Sequence, residues 1–191
     1  MIPAIGTPPF QIGTLARDAQ AARDRHDRGF GVRPWISSDW NSGHFWDGMA
    51  NEVVEVRHRV MFGRLTGDIA LEFIEVDPAG PAPRAWDLDR AEITAHLGYW
   101  CRDTRPVAEA LLAAGGAMVM ARVTGPELGD ALTARAVADP LPAGLDTCYI
   151  ATAEGLLVEL VPAAIWGGRL RASFGDAIDD VLAAPPSGLL A

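Results

Sequence analysis

Two stretches of the chain carry the same phrase 85 positions apart (96 − 11): QIGTLARD at 11–18 and HLGYWCRD at 96–103. Each begins with a side chain that can offer a nitrogen or oxygen, Gln11 or His96, and reaches an Arg-Asp pair whose Asp stands seven positions later. A second pair keeps nearly the same step, since Glu159 in LLVELV follows Glu72 in IALEFIEV by 87 positions (159 − 72). The two halves are therefore in register from their first element to their last. A period this long, used only twice, indicates a duplicated module, because a solenoid needs three or more units to bury its repeats. Whatever the chain folds into, its halves should pack as pseudo-symmetric partners.

Within each half the hydrophobic pattern gives the same order of elements. After a first strand, Asp18 is placed to cap a helix that runs to about Gly29, with Ala19, Ala22 and His26 at helical spacing. In the second half Asp103 or Thr104 caps, Pro106 suits the first turn, Val107, Leu111 and Leu112 form an apolar face, and Gly115-Gly116 ends the helix. Strand patterns follow at 32–37, 52–62 and 69–76, and again at 117–123, 147–152 and 156–161. The fold class is α+β, with βαβββ modules over 9–76 and 95–162. Residues 77–94, DPAGPAPRAWDLDRAEIT, lack a steady period and suit a linker. Residues 163–191 form a C-terminal extension, with a short amphipathic stretch at 177–182 and a tail, PPSGLLA, expected to fray.

Charge limits the partners. The formal net charge is −9, and all sixteen basic residues are arginine. Nucleic-acid binding needs a cationic surface, so none is expected. No apolar run approaches the roughly 20 residues of a membrane span, and MIPAIGTPPF lacks the basic start and long apolar stretch of a signal peptide, so the expected location is cytoplasmic. Cys101 and Cys148 are too few and too far apart for a disulfide framework or a zinc-finger pattern.

The matched polar residues carry the chemistry. Alternation along a strand puts Gln11, Gly13 and Leu15 on one face, and His96, Gly98 and Trp100 on another. Glu72 and Glu159 each sit among apolar neighbours, and a lone buried carboxylate costs several kcal/mol, roughly, unless it is paired, protonated or bound to metal. If the first and last strands of both modules surround one axis, Gln11, Glu72, His96 and Glu159 meet as an N/O cluster. Such a cluster suits a hard or borderline divalent cation: Mg²⁺, Mn²⁺, Ni²⁺, Co²⁺ or Zn²⁺. Taken alone, His96 reads as a core histidine, and the repeat register is what favours a ligand. His26, His44 and His58 read as surface or loop residues without a metal-spaced partner.

A ligand seven before an Asp in each half, and the strand end ELVP at 159–162, give a pattern that resembles the vicinal oxygen chelate superfamily of glyoxalases, extradiol dioxygenases, epimerases and resistance proteins. The resemblance spans about residues 9 to 162. It implies tandem βαβββ modules forming a cupped mixed sheet with a metal on its floor, and it carries the ligand order of glyoxalase I onto Gln11, Glu72, His96 and Glu159. Glu75, in EVDP, competes with Glu72. Counting back from the proline selects Glu75, counting forward from Gly67 selects Glu72, and alternation lets only one face inward. The neighbours of Glu72 match those of Glu159 better. No residues mark a glutathione or coenzyme A site.

Trp35, Trp40, Phe45 and Trp46 crowd PWISSDWNSGHFWDG, where interleaved Ser, Asn and Gly suggest a loop forming a lid or pocket wall, and Trp100 shares the face of His96. These five are the candidate substrate-binding residues for an apolar or ring-bearing small molecule. The implied activity is metal-dependent isomerase, epimerase or lyase chemistry on a small carbonyl or aromatic metabolite, through an enolate-type intermediate. By resemblance Glu159 is the general base, with Glu72 second. An Fe(II) dioxygenase ranks lower, because Gln11 stands where the first histidine of a facial triad belongs. The alternative from another class is a metal-free protein that sequesters a drug or natural product. A homodimer is also implied by resemblance.

Overall fold

A computed structural model describes residues 5–86, 95–136 and 139–190. The first half contains β1 (Gln11–Leu15), α1 (Ala19–Phe30), β2 (Trp35–Ser37), β3 (Asn41–Asp47), β4 (Glu52–Thr66) and β5 (Ile69–Val76). The second contains β6 (His96–Cys101), α2 (Thr104–Ala113), β7 (Ala117–Val123), α3 (Pro126–Ala134), β8 (Cys148–Ala151) and β9 (Leu157–Pro162). The repeated Asp has one function in both halves. Asp18 accepts from the Ala21 amide and Asp103 from the Arg105 amide, each capping the helix that leaves the first strand.

Strand pairing repeats as well. β1 runs parallel to β5 and β6 parallel to β9, while β4–β5 and β8–β9 are antiparallel. The halves join at two antiparallel seams, β1–β6 and β3–β7. Because β4 also pairs with β5, the order β4-β3-β7-β8-β9-β6-β1-β5 returns to its start, and the sheet curls into a barrel-like cup. β4 is long enough to pair along one edge with β3 and then with β2, and along the other with β5.

Alternation sorts side chains to the two sides of this wall. Leu71 and Phe73 face outward and pack with Ala19, Ala22 and Met61 beneath α1. Val158 and Leu160 likewise join Leu111, Leu128 and Leu132 beneath α2 and α3. Glu72 and Glu159 lie between these outward residues in sequence, and so turn inward. One end of the interior is filled by Leu15, Ile74, Val76, Met120 and Trp86. The other holds Phe10, Phe62, Trp100 and Val161, with Phe10 stacked on Trp100 at 4.0 Å between ring centres.

Three expectations change here. The loop-like stretch PWISSDWNSGHFWDG at 34–48 contains β3, paired to β4 at every position from Asn41 to Asp47. Its Ser, Asn and Gly disfavour strand locally, but two neighbouring strands supply ladder partners, and tertiary pairing overrides that preference. The helix α3 was also absent from the sequence reading, although Gly125-Pro126 with Leu128 and Leu132 is a short helical signature. The tail PPSGLLA, expected to fray, forms a short helix at Ser187–Leu190 with Leu189 packed against the cup, and the rest of the extension closes over the same end. Trp166, Ile178, Val181 and Leu182 are buried against the open end of the cup, the Trp100 indole donates to the Ala183 carbonyl (3.1 Å), and Arg102 donates to the Gly188 carbonyl. Of the linker, residues 87–94 lie outside the described residues. Among the described residues no helix is long and apolar enough to cross a membrane.

Ile178 is fully buried in this closure. Ile178→Ala should destabilise the protein by about 2–5 kcal/mol in chemical denaturation. A loss below about 1 kcal/mol would show that the extension packs only loosely on the cup.

Candidate metal site and cavity

The β1–β6 seam builds the site. Its register sets Gln11 opposite Gly98 and Gly13 opposite His96, so each ligand candidate faces the glycine of the other half. A Cβ at position 13 would lie 2.1 Å from His96 Nε2 and 2.5 Å from Glu72 Oε2. One at position 98 would lie 2.4 Å from Gln11 Cγ. Only glycine leaves room at these two places, which explains the Gln-x-Gly and His-x-Gly of the repeated phrase.

Glu72 enters from β5 beside β1, and Glu159 from β9 beside β6. The Gln11 amide donates to Glu72 Oε2 (3.0 Å) and to Glu159 Oε2 (2.5 Å). His96 Nε2 stands 3.1 Å from Glu72 Oε2 and 3.3 Å from Glu159 Oε2. All four residues are at most 6% exposed. The structure thus brings Gln11, Glu72, His96 and Glu159 to one point. Glu75 goes elsewhere: on the outer side of the cup it pairs with Arg59 (2.7 Å) and accepts from the Ala19 amide (2.8 Å) at the start of α1.

The cluster fits a divalent cation by its donors. One oxygen from each carboxylate and one imidazole nitrogen lie within 4.8 Å of one another. A half-turn of the Gln11 amide would present its oxygen to the same place. Two buried carboxylates converging on shared donors need positive charge between them. Among the side chains themselves a proton supplies it. Burial opposes a charged His96, but hydrogen bonds to Glu159 and Glu72 and their negative fields outweigh it, pushing His96 up to about 10. Burial first, then repulsion from Glu159, raises Glu72 to about 7 against the pull of His96.

Tyr149, on β8 opposite Glu159, completes the cluster, donating from its hydroxyl to Glu159 Oε1 (2.8 Å). Burial, with the charges of Glu159 and Glu72, holds its phenol well above the ordinary tyrosine value, so it remains a donor. The sequence reading missed it. The signal was present, since the strands 147–152 and 156–161 form a hairpin, and pairing them by count sets Tyr149 across from Glu159.

A cavity of about 260 Å³ opens onto the cluster. Of the five candidate substrate aromatics, Phe45 and Trp100 line it, and Trp35, Trp40 and Trp46 do not. Trp46 follows Phe45 on a strand, so only one can face in, and Trp46 turns outward and donates to Asn51 (3.2 Å). Trp35 packs over Gly63 and stacks on Phe73 under α1. Trp40 lies beneath the guanidiniums of Arg57 and Arg59, at 5.1 and 5.2 Å. In their place stand Phe10, Phe62 and Phe174, with Trp86 contributed by the linker. His58, read as a surface or loop residue, also lines the cavity, between Phe45 and Trp86. The cue was the alternation of 54–60, VEVRHRV, which sets His58 on the apolar face with Val54, Val56 and Val60 and opposite Arg57 and Arg59.

With this geometry in place, comparison with known proteins gives the class. The model of the Glyoxalase/Bleomycin resistance protein/Dioxygenase superfamily matches residues 10–132, and the chain belongs to that superfamily. The match includes Gln11, Glu72 and His96 and stops short of Glu159. The chain is similar to a variant of Streptomyces coelicolor methylmalonyl-CoA epimerase in complex with 2-nitronate-propionyl-CoA, at 15% identity over 81% of this chain and 92% of that one, with a TM-score of 0.44. It is similar also to the Mycobacterium tuberculosis methylmalonyl-CoA epimerase, at 15% identity over 82% and 88% with a TM-score of 0.44. A mutant of Streptomyces coelicolor 4-hydroxymandelate synthase gives 17% identity over 82% of this chain and 39% of that one, with a TM-score of 0.47. No curated protein sequence matches.

Two measurements test this geometry. Gly13→Ala should displace His96, lowering stability by about 1–3 kcal/mol and weakening Zn²⁺ binding in titration calorimetry, and unchanged affinity would contradict the close approach. The second is pH dependence. A metal-ligating histidine must be neutral, whereas His96 keeps its proton up to about pH 10, so metal uptake by chelator-treated protein should release a proton. Apparent Zn²⁺ affinity should then rise about tenfold per pH unit between pH 7 and 9. A flat profile would count against His96 as ligand.

Proposed function

We propose that the protein is a metal-dependent isomerase, epimerase or lyase of the glyoxalase type, acting on a small carbonyl or aromatic metabolite through an enolate-type intermediate. One observation carries this reading: two carboxylates from equivalent strands, Glu72 and Glu159, converge with His96 and Gln11 at the end of a cavity. A divalent ion held by Gln11, Glu72, His96 and Glu159 would polarise a substrate carbonyl and stabilise the enolate oxygen.

The protein's own groups move the proton. Glu159 is the general base, taking a proton from the carbon next to the carbonyl while that C–H electron pair passes into the enolate. The Tyr149 hydroxyl on Oε1 fixes the carboxylate plane of Glu159. Glu72, across the same donors, is the second candidate, and return of the proton by either carboxylate decides the stereochemical outcome. Phe10, Trp100 and Val161, with Leu170 and Leu182 from the extension, make the apolar wall that limits water near the enolate. A facial-triad Fe(II) dioxygenase is disfavoured by a donor set with one histidine and two carboxylates.

A second reading, sequestration of a small molecule without metal, has one observation in its favour. The four polar side chains satisfy one another's hydrogen bonds with only protons to share. Solvent-deuterium exchange at the carbon beside a carbonyl, followed by NMR over a panel of carbonyl compounds, separates the two. Glu159→Gln should keep about one metal per chain and slow exchange by about 10²–10⁴-fold, and chelation should abolish it. Exchange that persists after exhaustive chelation would overturn the metal dependence, and no exchange with any compound in the metal-loaded protein would favour sequestration.

A further inference from the structure

The cavity carries a positive charge that the proposed chemistry does not use. Arg122, on β7, and Arg169, from the extension, both line it together with Thr147 and His58. Arg169 is committed: it pairs with Asp146 Oδ2 at 2.7 Å and donates to Thr147 Oγ1 at 2.9 Å. The remaining Asp146 oxygen accepts from the Thr147 amide at 2.8 Å. Arg122 has no such partner. Among the described residues its guanidinium lies against the face of Phe45, 5.6 Å from the ring centre, and Asp146 acts on it through its field without a hydrogen bond. A half-buried guanidinium beside a second one, with no carboxylate of its own, is a binding group waiting for an anion.

Its place relative to the cluster is fixed by the sheet. The Arg122 amide donates to the Thr147 carbonyl at 2.8 Å. Thr147 precedes Tyr149 by two residues and therefore shares its inward face, about 7 Å away along the strand, and Tyr149 touches Glu159. At Gly43, an added Cβ would lie 3.2 Å from Arg122 Nη1 and 3.4 Å from His58 Cε1, so both groups stand at one corner beside this glycine. His58 brings no competing charge, because burial, and then Arg122 and Arg169, hold it below the ordinary histidine value against the Val56 carbonyl.

Resting on the function proposed above, we propose that Arg122 anchors a substrate carboxylate: the site takes a small carbonyl compound bearing one carboxylate, its carbonyl toward Glu72, His96 and Glu159 and its carboxylate against Arg122. A single negative charge is specified, because Arg169 is neutralised by Asp146 and only one guanidinium remains. Thr147 and Tyr149 stand between Arg122 and the cluster on the cavity wall, so the ligand's carbonyl and carboxylate are held apart, as they are across a para-substituted ring.

The probe pair that tests this is 4-formylbenzoate and its methyl ester, titrated into the full chain loaded with Zn²⁺ and again after chelation. Wild type should bind the acid about tenfold or more tightly than the ester. Arg122→Gln should abolish that preference and Arg122→Lys should retain part of it. Equal affinities in the wild type, no measurable binding of either compound, or a preference that survives in Arg122→Gln would overturn the assignment. Zn²⁺ titration of the same samples keeps the two ideas apart. Absence of metal binding with the acid preference intact removes the catalytic reading and leaves Arg122 as an anion anchor, while metal binding without the preference removes only the anchor.

Discussion

Two buried acids facing one imidazole and one amide form the interaction on which the rest of the structure depends. Glu72 and Glu159 approach the same pair of donors, Gln11 Nε2 and His96 Nε2, at 2.5 to 3.3 Å. In a site excluded from water, such an arrangement holds only if positive charge is supplied between the carboxylates. Every larger feature serves to put these groups at one point. The capping Asp that follows each ligand strand turns the chain into a helix covering the outside, and the last strand of each half returns parallel to the first with its glutamate inward.

The symmetry has a steric requirement as well as an electrostatic one. At the seam each half presents one polar side chain of the cluster and receives the other's, so Gln11 lies over Gly98 and His96 over Gly13. A duplication alone would give two copies of one phrase. The antiparallel crossing turns those copies into complementary halves of a single pocket. The halves then diverge where chemistry asks for it. Tyr149 orients Glu159, while Glu72 has His96 and Gln11 but no equivalent phenol, so the two carboxylates are held differently although they arose at equivalent places.

Much of this was legible in the sequence, because the strongest signals were local and repeated. Residues Gln11, His96, Glu72 and Glu159 stood out from spacing, and α+β modules followed from periodicity. Alternation limited the inward carboxylate to one of Glu72 and Glu75, the match of neighbours to Glu159 favoured Glu72, and the structure puts Glu75 outside with Arg59. What escaped depended on long-range pairing. Ser, Asn and Gly hid β3, and with it the fact that Phe45 faces in while Trp46 faces out. Trp35 and Trp40 looked like pocket residues because aromatic density does not encode direction. Trp86 and Arg122 reach the cavity only through closure of the sheet, which brings β7 beside β3 and the linker against the barrel end.

The site is most directly tested by crystals of the protein soaked with Zn²⁺ and measured on both sides of the zinc absorption edge. One strong anomalous peak is expected between the β1 and β6 strands, about 2.0–2.2 Å from His96 Nε2 and from an oxygen of Glu72 and of Glu159, with the Gln11 oxygen turned toward it. An anomalous map with no peak among these four side chains, or with zinc bound only elsewhere, would contradict the metal site.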